Sequence, residues 1–461
     1  MNNIYFRFFI VLTFLLSVSA GLQAQDTLRL NLSEFLEQSM ERSGQIEYER
    51  GAIDLAQNDA DQAASQRFLP QLELNTQHGV VPGVVSQTDL PSGQFYLDPN
   101  LENDWEDWAV FTRAELTAIQ PIFTWGAINN AVQAARSAAE AAQYEFEGQK
   151  AEIELQYYEL YYSYLLAIEI SRILEDADNQ LTQVEERLNE MQEEGDPDLK
   201  ESDIFKLEMF KSDFEVQKVE VEQSLQFVER VWQRALGNTG NIYLPAEDFL
   251  DPVPLQIESY SFYEEKALQS RPELKGVDSG IEAISSKVKA VKAQNYPALV
   301  LGLSGSYANT PNRPRQTNPF IRNSTNYSSA AVGLSIRQNL NFSSMKKNVE
   351  RAQIEHRRVS DLKNAVSDGI LLELNESFRE AIVAEKRVQQ TDESLTTARN
   401  WVRHERLNYD IGFGDVEDLT DAIQAELETR LELKQNVFDM NKKIADLYKS
   451  AGLSISQLSV N

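Results

Sequence analysis

The sequence predicts a mainly α-helical protein with a smaller β-strand portion, built as two tandem copies of one pattern of helices and strands. Three observations predict this fold class: long proline-free segments with heptad apolar spacing, four segments in which apolar and polar residues alternate, and motifs that recur in both halves of the chain. Heptad spacing indicates coiled-coil helices, whereas alternation with a period of two indicates strands with one apolar and one polar face.

The N-terminal residues 1–24 have the composition of a secretory signal peptide. An apolar run from Phe8 to Val18 is followed by small residues, and cleavage is expected after Ala24 or Ala20. An uncleaved signal anchor is the alternative, but the apolar run is too short to span a bilayer. The sequence therefore predicts an exported protein, and no later run of about 18 apolar residues predicts a membrane-spanning helix.

Proline positions indicate where long helices can form. The 14 prolines leave residues 122–196 and 320–461 free of proline. Because a proline inside a helix costs about 3 kcal/mol, uninterrupted helices are possible in these segments. Helical hairpins are predicted over about 122–237 and 343–452. Apolar residues in the first hairpin follow a three-four spacing at Ala167, Ile170, Leu174, Ala177, Leu181, Val184, Leu188 and Met191.

Four shorter segments alternate between apolar and polar residues, at about 70–81, 108–120, 297–308 and 328–341. About ten residues of such alternation is the signature of an outer-membrane barrel strand, although an ordinary half-buried sheet alternates in the same way. Four strands are too few to close a barrel, so a barrel built from them requires several chains.

The chain divides into two structural repeats, residues 25–245 and 246–461. Each repeat is predicted to contain, in order, two helices, two strands, a long helix and a further helix. The matching positions are Pro70 with Pro297, Leu116 with Leu334, Gln120 with Gln338, and Gly195 with Gly412.

Composition argues against several functions. The chain carries 43 Lys and Arg against 72 Asp and Glu, a net charge of −29, with no Cys and three His. A charge this negative repels a phosphate backbone, which excludes nucleic acid as an expected partner. The absence of Cys excludes thiolate metal sites and nucleophiles, and the three His are widely scattered. No catalytic triad, phosphate loop or nucleotide fingerprint is present, so no enzyme activity, catalytic residue, metal or cofactor is predicted.

The repeat pattern resembles the TolC-like outer-membrane efflux proteins, or outer membrane factors, over essentially the whole chain after the signal peptide. The resemblance implies a homotrimer in the cell outer membrane, with one shared 12-stranded β-barrel on an α-helical barrel in the periplasm. It also implies passive exit of substrates in a tripartite efflux or type I secretion system. The implied partners are a periplasmic adaptor (membrane fusion protein), an inner-membrane pump and outer-membrane lipid.

A soluble periplasmic coiled-coil scaffold or pump adaptor is the alternative. A scaffold would contain no barrel strands. An adaptor would carry one helical hairpin between β-rich domains, whereas two full hairpins are predicted here, each following a strand pair. The hairpin tips, 185–208 and 405–432, are where the resemblance places adaptor docking. The first contains ten acids and three bases, and the second nine acids and two bases.

The most specific local match to the family lies at the second hairpin turn. Its periplasmic tip motif corresponds here to Tyr409, Gly412, Asp418 and Asp421. The best-known member has an arginine in the network that closes the channel where this chain has Gly414, so the resemblance does not carry that lock over. The first turn begins at Gly195 and has two extra residues before its acid, Asp203.

Each of these tip residues has a structural alternative. Asp418 and Asp421 are three residues apart and share one helix face, so around a threefold axis they would form two carboxylate rings that attract cations. Solvated surface acids are the alternative. Tyr409 could be a gate residue or part of the coiled-coil core. Gly195 and Gly412 are expected to end helices, because glycine accepts the left-handed conformation.

The segments between paired strands carry opposite charge. Residues 82–107 contain six acids, among them Asp104 and Asp107, and no base. Residues 309–327 contain Arg313, Arg315 and Arg322 and no acid. We expect these two loops to pair across the extracellular mouth of the barrel. Two unrelated mobile loops are the alternative.

Overall fold

A computed structural model describes residues 27–86, 101–194, 201–237, 240–313, 323–411 and 416–458. The predicted signal peptide lies outside the described residues. The strands are β1 Thr27–Leu30, β2 Gln71–Ser86, β3 Leu101–Phe123, β4 Ile242–Pro245, β5 Ala298–Asn309 and β6 Tyr327–Arg337. The helices are α1 Leu32–Arg42, α2 Gly44–Ser65, α3 Ala127–Glu194, α4 Glu201–Ala235, α5 Tyr260–Ser270, α6 Pro272–Ala293, α7 Phe342–Asp410 and α8 Val416–Ser450.

The order of these elements confirms the predicted fold class. The protein is mainly helical, and the series of two helices, two strands, a long helix and a further helix occurs twice. The sequence did not predict strands β1 and β4, which pair with each other in parallel. Each has four residues, too few for periodicity to reveal, and their partners are distant in sequence. No described helix is both long and apolar enough to cross a membrane.

The chain folds into two compact units, and each draws on both repeats. The first unit contains Met1–Arg50, Phe146–Pro272 and Ser367–Asn461. The second contains Gly51–Glu145 and Glu273–Val366. The boundary between the sequence repeats is therefore not a boundary between compact units.

The second unit is organised around a four-stranded antiparallel sheet with the strand order β2-β3-β5-β6. Leu72 lies opposite Ala118, which lies opposite Leu303. Because side chains alternate along each strand, one face is apolar and the other polar. The apolar face carries Leu72, Leu74, Leu116, Ala118, Leu303, Val332, Leu334 and Ile336. The polar face carries Glu73, Asn75, Glu115, Thr117, Ser304, Ser306, Ser335 and Arg337.

The predicted loop over 82–107 was wrong at both ends. Strand β2 continues to Ser86 and β3 begins at Leu101, so Asp104 and Asp107 lie in a strand rather than in a loop. The ladder passes a β-bulge between Pro82 and Gly83 and then continues. The sequence did not predict this part of the strand because its side chains are acidic and the prediction relied on alternating apolar residues. The hydrogen bonds of a strand ladder are formed by the backbone and do not require apolar side chains.

The core of the first unit contains buried aromatic side chains. The Phe35 ring stacks on Trp232 with ring centroids 4.6 Å apart, and the Tyr164 ring contacts the same indole edge-on. Tyr158 and Tyr161 are fully buried, and the Tyr158 hydroxyl donates to the Asn441 carbonyl at 3.3 Å. This cluster joins α1 to α3, α4 and α8.

Ion pairs follow the antiparallel contact between α3 and α8, which we call the α3–α8 seam. Acids of α3 pair with bases of α8 at four levels: Glu152 with Lys449, Glu159 with Lys442, Glu169 with Lys434, and Asp176 with Arg430. Glu169 is 7% exposed and also pairs with Arg172 at 3.2 Å. A buried carboxylate requires such partners, because leaving it unpaired would cost several kcal/mol, on the order of 3–5.

Helix α8 ends against the junction between α5 and α6. Arg271 is buried there, forms a 2.8 Å ion pair with Glu373 and donates a hydrogen bond to the Lys449 carbonyl at 3.2 Å. Gly452 follows with φ +67°, and a Cβ at that position would lie 3.0 Å from the Arg271 nitrogen. Glycine is needed at this position both for its positive φ and for the close approach.

We predict that Gly452→Ala lowers the free energy of unfolding of the helical part by about 1–3 kcal/mol. Alanine is strained in the left-handed backbone conformation, and its Cβ would crowd the Arg271 backbone nitrogen. The measurement is denaturant unfolding followed by helical circular dichroism. Gly369→Ala in exposed α7 is the control, since nothing lies within 4 Å of a Cβ there, and it should stabilise by up to about 1 kcal/mol. Equal effects of the two substitutions would contradict this account of Gly452.

Candidate functional site

The candidate site is the pair of helical hairpin tips in the first unit. Helix α3 ends at Glu194 and α4 begins at Glu201, while α7 ends at Asp410 and α8 begins at Val416. Asp203 lies in the first turn of α4, and its side chain is outside the described part of the chain. The predicted turn residues Gly195, Gly412 and Gly414 lie outside the described residues.

An apolar cluster, which we call the tip core, packs the ends of all four long helices together. The three-four spacing of α3 supplies one side of this cluster, and α8 supplies another. Every main member is less than 9% exposed. The members are Leu181, Val184 and Leu188 of α3, Leu207 and Phe214 of α4, Val402 of α7, and Val416, Leu419 and Ile423 of α8. The two hairpins thus share one core, so neither tip is held by its own hairpin alone.

Tyr409 packs against the tip core. Its ring is half-buried, and its hydroxyl donates to the Met191 sulfur of α3 at 3.0 Å. A thioether is a weak acceptor, so the ring supplies most of the contact and the hydroxyl adds a directed link between α7 and α3. Of the two interpretations that the sequence left open, this geometry favours a packing role.

Asp418 and Asp421 occupy the exposed face of α8. The intervening and following residues Leu419, Ala422 and Ile423 are buried in the tip core, so the two carboxylates point away from it. Neither forms an ion pair with a residue that the structure describes. Asp418 also lies in the first helical turn, where the helix dipole favours negative charge. The structure therefore brings the two acids together on one exposed surface.

Three lysines of α4 form ion pairs with neighbouring helices, and one of them, Lys206, links the two hairpins. Lys206 pairs with Glu417 of α8, Lys211 with Glu185 of α3 at 2.5 Å, and Lys218 with Asp178 of α3 at 3.0 Å. The Asp178 carboxylate raises the pKa of Lys218 through a hydrogen bond. Sequence reasoning missed the link between Lys206 and Glu417. The only signal for it was a base within a strongly acidic segment.

The charged residues of the predicted loops lie at one end of the sheet in the second unit. Arg313 donates from Nε to the Pro82 carbonyl at 3.1 Å and from Nη2 to the Asn103 side chain at 3.5 Å. It therefore contacts the β2–β3 hairpin, but within the described residues it forms no ion pair with Asp104 or Asp107. Arg315 and Arg322 lie outside the described residues. Across the described ranges, no group of three or more acids and histidines could hold a metal ion.

The packing role of Tyr409 can be tested by two substitutions. Tyr409→Phe keeps the ring and should change the local opening free energy of α7 and α8 by less than about 1 kcal/mol. Tyr409→Ala leaves a cavity against the tip core and should cost about 1–3 kcal/mol. Amide hydrogen exchange near the α7 end and the α8 start gives these values. Leu407→Ala is the control, because Leu407 is 59% exposed. If Tyr409→Phe is as disruptive as Tyr409→Ala, the hydroxyl rather than the ring is the essential group.

The chain is similar to known outer-membrane proteins. Residues 264–453 match the family model described as outer membrane efflux protein. No curated protein matches the chain by sequence. The outer membrane protein VceC of Vibrio cholerae superposes with a TM-score of 0.70 at 16% identity, covering 92% of this chain and 96% of that one. CusC superposes with a TM-score of 0.72 at 13% identity, covering 94% of this chain and 96% of that one. The open-state MtrE outer membrane channel of Neisseria gonorrhoeae superposes with a TM-score of 0.68 at 13% identity, covering 92% of this chain and 89% of that one.

At such identities the solved structures show a shared fold, while the family model adds a shared sequence pattern over most of the second repeat. The fold and that pattern together confirm the resemblance predicted from sequence: this chain has the fold of the TolC-like outer membrane factors, and its second repeat carries the sequence pattern of the outer membrane efflux proteins.

Proposed function

We propose that this protein is an outer-membrane channel through which substrates leave passively, as the exit duct of a tripartite efflux or type I secretion system. One observation carries the proposal. The four-stranded sheet exposes an apolar face, and its two edge strands each pair on only one side within the described residues. A passive channel of this kind requires a path and a gate rather than catalytic residues, which agrees with a family of non-enzymatic transport channels.

The exposure of the apolar face supports a membrane location. Leu72 is 68% exposed, Val332 69% and Ile336 73%. Exposure of a contiguous apolar surface of this kind to water is unfavourable. Bilayer lipid could cover this face while the polar face, on the other side of the sheet, remains in contact with water. The region beyond the predicted signal peptide would then cross the outer membrane as strands, with the helices in the periplasm.

The open edges support a homotrimer. Strands β2 and β6 present unpaired backbone groups, and such edges pair readily with other strands. Three chains that join β6 to β2 of the next chain would form one closed barrel of 12 strands, as the family resemblance implies. Closure would satisfy the edge hydrogen bonds that a single chain leaves open.

The hairpin tips are the proposed gate and the proposed surface for a periplasmic adaptor and an inner-membrane pump. Residues 185–208 and 405–432 are strongly acidic, so a partner with basic residues would be attracted to them. Asp418 and Asp421 are the proposed selectivity residues, and Tyr409 the proposed gate support. Gly195, Gly412 and Gly414 belong to the predicted turns, which would move together with Asp203 in the first turn of α4 when the gate opens.

The channel proposal is tested with protein extracted from outer membranes. Unheated samples should migrate as a trimer on gels and heated samples as a monomer. The unheated protein should form ion-conducting pores in planar bilayers. A protein that fractionates as a soluble monomer and leaves bilayers insulating would contradict the proposal and would favour the scaffold alternative.

The selectivity role of the tip acids has its own prediction. Asp418→Asn together with Asp421→Asn should lower the preference for cations over anions and reduce block by multivalent cations, because two carboxylate rings would lose their charge. Reversal potentials in salt gradients measure this preference. Glu37→Gln with Glu41→Gln is the matched control, since these acids lie one turn apart in α1, outside the tips. Unchanged selectivity in the Asp418 and Asp421 variant would remove these residues from the pore lining.

A further inference from the structure

A cavity of about 170 Å³ opens at the loop end of the sheet, in the second unit. A second cavity of about 410 Å³ adjoins it and shares Ala308, Thr310 and Arg313 with it. Within the described residues, no carboxylate side chain lines either cavity. The polar lining of the smaller cavity consists of Thr112, Arg113, Thr310, Arg313, Ser324 and Thr325. Two arginines thus line one small space in a chain whose net charge is −29.

Arg113 reaches the cavity from the polar face of the sheet. In the strand register it lies between Gln77 of β2 and Ala308 of β5. Its side chain is exposed, and it forms no hydrogen bond or ion pair with any residue that the structure describes. The nearest acid on the same face of β3 is Glu115, two residues away, and the two side chains do not pair.

Arg313 reaches the cavity because of the β-bulge at Pro82 and Gly83. The register shift there removes ladder partners from carbonyl groups, and side chains of the segment after β5 replace them. Asn312 donates to the Asp107 carbonyl at 2.9 Å, and Arg313 Nε donates to the Pro82 carbonyl at 3.1 Å. A guanidinium has five N–H donors, and the described contacts of Arg313 use Nε and Nη2. The anchored arginine therefore keeps donor capacity for a ligand.

Two positively charged residues line this cavity, and neither forms an ion pair with a carboxylate that the structure describes. A bound anion would compensate their charge, and arginine favours phosphate and carboxylate because its planar fork matches two oxygens at once. Ser324 and Thr325 also line the cavity, and each has a hydroxyl group that could donate to an oxygen of such a ligand.

We propose that this cavity is a binding site for the phosphate or carboxylate group of an anionic solute, held by Arg113 and Arg313. The ligand approaches from the polar face, because Arg113 belongs to that face and the apolar residues lie on the other. The route of the solute through the channel interior depends on the proposed function. Binding of the anion does not depend on it, so binding can be measured even in protein that has not been shown to conduct ions.

The test is calorimetric titration of inorganic phosphate into the full-length protein in detergent at fixed ionic strength. We expect saturable binding that weakens by about tenfold in Arg113→Gln and in Arg313→Gln, as expected for the loss of a charged hydrogen-bond donor. Arg337→Gln is the matched control, because Arg337 lies on the polar face of the same sheet but outside both cavities. Its substitution should leave the phosphate affinity unchanged.

Three results would overturn the proposal: no saturable phosphate binding to the unaltered protein, an equal loss of affinity in Arg337→Gln, or unchanged affinity in both cavity variants. A lipid phosphate is the other source of the same chemistry, and nanodiscs distinguish it. Equal phosphate affinity in a maltoside detergent, which contains no phosphate, and in nanodiscs of zwitterionic phosphatidylcholine, whose headgroup contains one, supports a solute site. Weaker affinity in the phosphatidylcholine nanodiscs would assign the site to a lipid headgroup and overturn the solute proposal.

Discussion

The α3–α8 seam is the contact on which the first unit depends. Helix α3 belongs to the first sequence repeat and α8 to the second, so the seam unites the two copies into one structure. It combines fully buried aromatic side chains with paired charges, of which Glu169 and Lys434 are 7% and 21% exposed. Removing one partner of such a pair destabilises the fold, because the other partner would remain charged and partly buried. The seam therefore fixes the register of the long helices, and that register determines which residues meet at the tips.

The sheet of the second unit differs from the seam, because its exposed surfaces have no partner within the described residues. Its ladder is regular through all four strands, yet both edges and the whole apolar face lack a partner within the described residues. A soluble protein would blunt such edges with charge or proline and would cover such a face. The sheet is instead well suited to further strands and lipid, which is why the channel proposal rests on it rather than on the tips.

Sequence reasoning predicted what local periodicity encodes. Leu181, Val184 and Leu188 were recognised from their spacing, and they are buried in the tip core. The long helices followed from the absence of proline. Features that depend on residues distant in sequence were not predictable in this way, such as the pairing of β1 with β4 and the ion pair between Lys206 and Glu417. Strand β3 was predicted too short, because its first residues are acidic and their strand character comes from backbone pairing.

The distribution of charge is consistent with a fixed seam and with the movable tip that the proposed gate requires. Along the seam, bases of α8 neutralise acids of α3 in partly buried pairs. At the tips the acids greatly outnumber the bases. The side chains of Lys206 and Glu417, which pair there, are 47% and 38% exposed, so water and salt screen their attraction. Like charges that are concentrated there favour separation of the hairpins, whereas the tip core favours closure. A balance of two modest opposing forces can be shifted by a basic partner or by cations, while the seam holds the rest of the unit in place.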